Sequence, residues 1–369
     1  MSATLVILLV ASLVAASCAL LGSFLVLRKM ALLGDAISHA VLPGIVLAFL
    51  WTGSRSPLPM VLGAGALGVL TVLLVELFNR TRRLSEDASI GVVFPALFAI
   101  GVLLVSRYAN QVDLDLDCVL YGEIAYAPWD LWLLGERSLG PKALWVNGMV
   151  LALDALFVGL FYKELKVTTF DRELAHALGF RPGLMHYLLM SLVSVTVVGA
   201  FESVGAILVV AMLVVPPAAA YLLTDRLSRM LALAVGLGLV SAVGGYGLAR
   251  WLDASIAGSM ATVAGLLFLA AFFVSPRYGL AARAFHHRRL ARMMEEQLVM
   301  LHLKRGEAAA SSAELARRFA WATRRMEKVL ARLAGRGWVE ENGVGPKLTG
   351  SGLVALERTG QTALMHETR

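Results

Sequence analysis

Asp35 and His39 are four residues apart inside the otherwise apolar stretch LRKMALLGDAISHAVLPGIVLAFL, residues 27–50. Ionisable groups cost roughly 2.5–3.5 kcal/mol each at bilayer depth, so they normally face a protein interior or an aqueous path. On a helix their Cβ atoms would sit about 5–6 Å apart on one face, where a carboxylate and an imidazole can hold a cation between them. Oxygen plus imidazole suits a divalent metal of intermediate hardness, Mn²⁺, Zn²⁺ or Fe²⁺, better than Cu⁺, which prefers sulfur. Two ligands from one chain also suit passage, since a closed four-ligand site would hold its ion too tightly to release it. The competing use of the pair is structural, with Asp35 capping the helix and His39 hydrogen-bonding across a bundle.

Other carboxylates stand in apolar runs. Asp154 and Glu202 are candidates for the same path by the same cost argument, against a helix-to-helix hydrogen bond as the plainer use. Glu76 lies at helical spacing from Arg80, which predicts a local ion pair. Asp113, Asp115 and Asp117 alternate in a long acidic loop, residues 107–142, with Glu123 and Asp130 following. An extended strand would put the three aspartates on one face. They then shape the mouth through which a cation arrives, unless they simply solvate the loop.

The elements that must position these groups are membrane spans. The chain has 369 residues, 58% hydrophobic and 16% charged, and a mean hydropathy of +0.74, where a soluble domain carries roughly a quarter charged residues. Apolar runs at 4–27, 30–51, 58–78, 88–106, 143–162, 184–201, 204–223, 229–250 and 256–275 predict about nine transmembrane helices. The first lacks a charged leader region and a cleavage site, so it reads as an anchored helix rather than a removed signal. Arg28 and Lys29 follow it at once. Together with Arg80, Arg82, Arg83, Lys163 and Lys166 they put the basic loops on the cytoplasmic side and the N-terminus outside. Phe201-Glu202-Ser203 leaves almost no loop between two spans, which allows a broken or re-entrant helix there. The two cysteines, Cys18 and Cys118, provide neither a disulfide framework nor a CxxC pair. Glycines at 63, 65, 236, 238, 244 and 245 read as close helix packing.

The polar segment VTTFDRELAHALGFRPG, 167–183, interrupts the spans on the cytoplasmic side. Thr169 or Asp171 can cap a short helix in which Glu173 occupies the first turn, Leu174, Ala177 and Leu178 form an apolar stripe, and Gly179 ends it. Such a helix suits docking into a groove on a soluble partner.

The segments VLRKMALLGDAISHAVLPGI (26–45), FDRELAHALGF (170–180) and VGAILVVAMLVVPPAAAYLL (204–223) resemble the membrane permease subunits of ATP-binding-cassette importers for manganese, zinc and iron, in order over residues 1–280. The resemblance implies an importer of two permease subunits, as a homodimer or a pair with a second permease, with two separate ATPase subunits and an external metal-binding lipoprotein in a bacterial inner membrane. It maps the family's path-lining aspartate and histidine onto Asp35 and His39, and its coupling helix onto Phe170, Asp171, Glu173, Leu174, Ala177, Leu178 and Gly179. No permanent cofactor is implied, only a transported divalent metal. No G-x-x-x-x-G-K-[ST] loop occurs in the chain, so ATP hydrolysis is expected on the partner and not here. A vitamin-B12 or siderophore permease, with a large apolar ligand, fits the intramembrane ionisable pair less well.

The fold class expected is therefore an all-α polytopic membrane protein with a small cytoplasmic winged helix-turn-helix domain, the permease at 1–280 and the tail at 284–369. Residues 281–369 carry 16 Lys/Arg and 9 Asp/Glu and so account for the net charge of +7. Helices at 284–303, 311–320 and 322–337, a hairpin over 337–350 with Asn342-Gly343 at its turn, and a helix at 351–360 follow a winged-helix order. Ser311 and Glu314 form a capping box. LARLAGRGWVE and KLTGSGLVAL resemble the DNA-binding domains of iron- and manganese-dependent repressors. Thr323, Arg324, Arg325, Lys328 and Arg332 would then face nucleic-acid phosphates. A protein-interaction or regulatory module, drawn also to anionic membrane lipid, is preferred, because tethering restricts access to chromosomal sites. His286, His287 and His302 are candidates for sensing metal. The alternative function for the whole chain is a membrane-tethered, metal-responsive transcription regulator.

Overall fold

The computed structural model describes residues 2–53, 57–80, 84–108, 124–134, 137–275, 279–305, 311–342 and 345–356. The chain divides into two compact units, Met1–Gly279 and Leu280–Arg369. In the first, α1 (Ala3–Leu27), α2 (Leu33–Thr52), α3 (Pro57–Arg80) and α4 (Glu86–Tyr108) precede a short antiparallel hairpin of β1 (Leu131–Leu134) and β2 (Arg137–Pro141). Then come α5 (Lys142–Leu160), the short helices α6 (Tyr162–Phe170) and α7 (Arg172–Ala177), and α8 (Pro182–Val204), α9 (Ala206–Leu223), α10 (Leu227–Leu252) and α11 (Ile256–Val274). Among the described residues nine helices, α1–α5 and α8–α11, are long and apolar enough to cross a membrane. The acidic loop's Asp113, Asp115, Asp117 and Glu123, and Cys118, lie outside the described residues. Cys18 is a buried free thiol.

The break expected at Glu202 falls three residues later. Glu202 and Ser203 complete the last turn of α8, and Gly205, at φ 80° and ψ 163°, turns the chain into α9 with no other linking residue. That backbone conformation is open to glycine and poorly open to residues with a Cβ.

α1 lies at the centre of this unit and packs against α5, α8, α9 and α10, while α2 packs against α3 and α4. Leu21, Phe24 and Leu25 of α1, Leu189 and Met190 of α8, and Leu208, Met212 and Leu213 of α9 are fully buried in one core. Lipid tails are as apolar as leucine, so helices gain little by hiding apolar surface from them and must gain by close packing instead. Glycine supplies the closeness at particular points. A Cβ on Gly22 would stand 1.8 Å from the Leu213 carbonyl oxygen, one on Gly44 would stand 2.4 Å from the Gly63 carbonyl oxygen, and one on Gly245 would stand 2.3 Å from the Met260 Cα. Gly63 and Gly238 also meet a neighbouring helix, but Gly65 and Gly236 meet nothing within 4 Å, so only part of the glycine pattern serves packing.

The contact at Leu213 has a chemical cause in the same helix. α9 carries Pro216 and Pro217 in its interior. Residue 217 would normally donate its N–H to the carbonyl of residue 213, and proline has none to give. The Leu213 carbonyl is thus left without its helical donor, and it faces the notch at Gly22.

The second unit holds α12 (Leu280–Lys304), α13 (Ser312–Arg318), α14 (Thr323–Gly335), the hairpin of β3 (Val339–Asn342) and β4 (Gly345–Leu348), and a helical segment at 350–356. Ser311 caps α13 by accepting the Glu314 N–H at 3.3 Å, and Glu314 also pairs with Arg318 at 3.3 Å. Asn342 is the last residue of β3 and pairs with Gly345 across the hairpin, while Gly343, expected beside it at the turn, lies outside the described residues. Val299, Met300, Leu315, Met326, Val329, Leu333, Val339 and Leu356 form this unit's own core.

Replacing Gly22 by alanine should destabilise the first unit by roughly 1–3 kcal/mol, as overpacking does, whereas Gly65→Ala should be neutral or slightly stabilising through its gain in helix propensity. Thermal unfolding of the two variants in detergent checks this. Equal midpoints would refute the role given to the Gly22 notch.

Candidate functional site

The turn that leads into α2 is built by the end of α1. Lys29 donates to the Val26 carbonyl at 3.1 Å and Met30 to the Leu25 carbonyl at 2.9 Å, a helix-ending pattern in which Lys29 takes φ 63° where glycine is usual. Leu33 then donates to the Met30 carbonyl at 3.1 Å and α2 begins. Its N-cap is Leu32, without any side-chain cap bond, and Asp35 is the third residue of the helix. Asp35 therefore does not define the helix start. It occupies the first turn, where unpaired N–H groups favour a carboxylate. His39 follows one turn later in the helical backbone, and its side chain lies outside the described residues.

Around the pair, two features bear on chemistry. A Cβ on Gly34 would lie 2.2 Å from a terminal methyl carbon of Leu213, so the start of α2 is pressed against α9. Pro43 stands inside α2. Having no N–H, it leaves the carbonyl of His39 without its i+4 donor and adds an oxygen lone pair next to the two candidate ligands. Ser38 turns its hydroxyl back to the Gly34 carbonyl at 2.9 Å. Among the described residues no group of three or more His, Cys, Asp or Glu side chains is close enough to hold a metal ion. A full coordination sphere at this site needs ligands beyond the described side chains.

Asp154 is fully buried in α5. Its Oδ2 accepts from Ser17 Oγ of α1 at 2.5 Å, and both its oxygens lie 3.0 Å from Thr196 Oγ1 of α8. Two hydroxyl donors from two other helices satisfy it, so the geometry is that of an interhelical bolt. Glu202, at the end of α8, is half-exposed and meets Lys142 Nζ at 2.6 Å. Next to it, Asn147 of α5 donates to Ser203 Oγ at 2.9 Å. The pair lines a cavity of about 180 Å³ with Tyr126, Asp130 and Ser203. Glu76 meets His186 Nε2 of α8 at 3.6 Å. The side chain of its expected partner Arg80 lies outside the described residues.

In the segment after α6, Asp171 is the cap of α7, accepting the Leu174 N–H at 2.9 Å, and Gly179 ends it at φ 81°. Phe180 donates to the Ala175 carbonyl at 3.0 Å and Gly179 to the His176 carbonyl at 3.0 Å, which closes the helix. Ala175 is buried against the protein, while Phe170, Leu174 and Leu178 are 61%, 48% and 57% exposed and Glu173 and Ala177 are exposed as well. The apolar stripe therefore points outward. Thr169 does not cap this helix; it accepts instead from Arg28 Nε at 3.2 Å.

In the second unit, Thr323, Arg324 and Lys328 are exposed on α14. Arg325 and Arg332 are committed elsewhere. Arg325 bonds Glu295 Oε1 through Nε at 2.9 Å and stacks over Trp321 at 4.9 Å. Arg332 meets Glu295 and Glu296 at 3.2 Å each, and Arg336 meets Glu296 at 2.9 Å. Two of the five residues expected to face phosphates thus fasten α14 to α12. His302 packs edge-on against Phe319, ring centroids 5.3 Å apart, inside the unit. The side chains of His286 and His287 lie outside the described residues.

Arg28 stands in the sequence only as a charge that sets orientation, and Ser17, Lys142, Thr196 and His186 carry no sequence sign of the partners they meet. Nothing in their spacing marks them, because each meets its partner from a distant part of the chain. The one available signal was that a buried carboxylate such as Asp154 requires donors, and hydroxyls on apolar helices are the donors a membrane core can house.

The sequence profile of the ABC 3 transport family matches residues 2–275. The chain is 51% identical over 271 residues to the manganese transport system membrane protein MntD of Bacillus subtilis (strain 168), covering 73% of this chain and 92% of that one. It is 43% identical over 356 residues to the zinc transport system membrane protein TroD of Treponema pallidum (strain Nichols), covering 95% of this chain and 97% of that one, an alignment long enough to run into the second unit. Among solved structures, PsaBC from Streptococcus pneumoniae in complex with Fab is similar at a TM-score of 0.63 and 31% identity, covering 75% of this chain and 94% of that chain. With the profile spanning every one of the nine candidate spans, the chain belongs to the ABC 3 transport family.

Proposed function

We propose that this chain is the permease subunit of a bacterial inner-membrane importer that moves a divalent transition metal, manganese, zinc or iron, into the cytoplasm. The observation that carries the reading is the start of α2. It places Asp35 and His39 one turn apart in a membrane span, beside a carbonyl freed by Pro43, in a chain whose relatives are named for manganese and zinc transport. Carboxylate, imidazole and carbonyl are donors for ions of intermediate hardness, and their small number from one chain favours release. A second permease, a copy of this chain or a related subunit, supplies the remaining ligands across a shared axis. Asp154 serves the bundle as a bolt, and Glu202, neutralised by Lys142, stands at the outer rim with the N-terminus on that side.

The outward stripe of α7, with Phe170, Leu174, Ala177 and Leu178 around the capped start at Asp171, is the contact for a separate ATPase subunit, and an extracytoplasmic metal-binding protein delivers the ion at the opposite face. The second unit is a cytoplasmic winged-helix module that works through protein contacts. Arg325 and Arg332 pair with Glu295 and Glu296, which supports contacts with protein over contacts with nucleic-acid phosphates on α14. A transcription regulator tethered by its spans would have no use for the freed carbonyls and the exposed α7 stripe.

Asp35→Ala and His39→Ala should each reduce uptake of radioactive Mn²⁺ and Zn²⁺ by the reconstituted importer to background while the variant still co-purifies with the ATPase subunit. Normal uptake by either variant would overturn the site. Asp154→Asn keeps an acceptor for Ser17 and Thr196 and should transport at close to the wild-type rate; loss of transport with assembly intact would return Asp154 to the path. Asp171→Ala removes the cap of α7 and should cost about 1 kcal/mol locally, seen as faster amide exchange over 174–176 and weaker ATPase association, with exchange in the spans unchanged.

A further inference from the structure

Arg28 is half-buried at the end of α1, five residues before α2 begins at Leu33, and its guanidinium reaches groups on two other elements. Nε donates to Thr169 Oγ1 at 3.2 Å and Nη2 to Thr168 Oγ1 at 3.3 Å, both on α6, the helix that runs into the cap of α7. Nη1 lies 3.5 Å from His186 Nδ1 on α8, whose Nε2 is 3.6 Å from Glu76 Oε2 on α3. Arginine has donors only, so the contact requires His186 to accept at Nδ1 and to carry its proton on Nε2, toward Glu76. Thr168 spends its own proton on the Glu164 carbonyl at 2.8 Å and so presents lone pairs to Arg28. The donors and acceptors of Glu76, His186, Arg28 and Thr168 match along the whole chain of contacts.

Two further features set this arrangement apart from an ordinary helix-end bond. Lys29, the next residue, holds φ 63°, a conformation that bulky residues adopt at a cost and that fixes the direction in which α2 leaves. The cluster also borders a cavity of about 710 Å³ lined by Lys29, Asn79, Phe170 and Arg172, so its members have room to shift. Burial and, next, the neighbouring Arg172 pull the Arg28 guanidinium down to about 10, which leaves it charged at neutral pH.

We propose that Arg28 is a positioning residue that transmits movement of the α6–α7 segment to the start of α2. The proposal rests on the transport reading above. When the ATPase subunit displaces α7, Thr168 and Thr169 move with it; the planar fork of Arg28 follows them, and the short turn through Lys29 carries the shift to the helix that bears Asp35 and His39. Lysine at position 28 would keep the charge but lose the fork that reaches three acceptors at once.

The test uses the full importer reconstituted in proteoliposomes. Arg28→Gln should leave ATPase activity within about twofold of wild type and lower metal moved per ATP by about tenfold, the middle of the usual range for coupling between sites. Arg28→Lys should fail to rescue it. Thr169→Val should lower the same ratio, and Arg28→Gln with Thr169→Val should be no worse than Arg28→Gln alone, since both remove one linkage. Unchanged metal per ATP, or transport and ATPase falling together with assembly, would overturn the proposal. Amide exchange gives a readout independent of the metal. Adding the ATPase subunit and nucleotide should alter exchange over both 172–177 and 33–38 in wild type and over 172–177 alone in Arg28→Gln; a persisting change over 33–38 would overturn the relay. Wild-type importer that hydrolyses ATP yet moves none of the three metals would refute the transport reading instead, and the exchange result would still decide the relay.

Discussion

The first unit depends on the meeting of Gly22 and Leu213. Pro217 deprives the Leu213 carbonyl of its helical hydrogen bond, and Gly22 provides the only kind of surface that can approach that oxygen without a clash. The same leucine's side chain meets Gly34 at the start of α2. One residue of α9 thus sets the distance to both α1 and α2. The three sequence motifs that carry the family resemblance include two that touch here, the one containing Gly34 and Asp35 and the one containing Leu213 and the Pro-Pro pair. In lipid, where apolar burial gives little preference for one helix neighbour over another, a contact that only glycine can make is what specifies the arrangement.

Most of the polar groups described in the spans are given a partner, the buried Ser194 hydroxyl being an exception. Asp154 receives hydroxyls from Ser17 and Thr196, and Glu202 receives Lys142. Ser38, Ser23 and Thr71 return their hydroxyls to carbonyls four residues back in their own helices. Pro43, like Pro217, takes away a helical donor, and the carbonyl that loses it is that of His39, one turn after Asp35. On the proposed reading, the gathering of carboxylate, imidazole and carbonyl in the first turns of α2 is what serves the transported ion.

Much of this could be read from the sequence. The apolar runs gave the nine long helices with ends close to those observed, because length and hydropathy alone decide what crosses a bilayer. The cap at Asp171 and the stop at Gly179 were legible because helix ends are local chemistry. Asp35 and His39 stood out because ionisable groups are rare in such runs. What could not be read was anything set by distant pairing. The choice of Gly205 over Glu202 as the break depends on a backbone conformation, the role of Asp154 depends on residues in α1 and α8, and the occupation of Arg325 and Arg332 by Glu295 and Glu296 depends on how α12 packs on α14. Spacing within one helix carries no information about these.

The central claim is that α2 holds the transported ion in transit. Anomalous scattering from manganese or zinc bound to the assembled importer tests it most directly. The expected result is a peak within coordination distance of Asp35 and His39 on α2, with no peak at Asp154. A peak at Asp154 or at Glu202 with none beside α2 would contradict it.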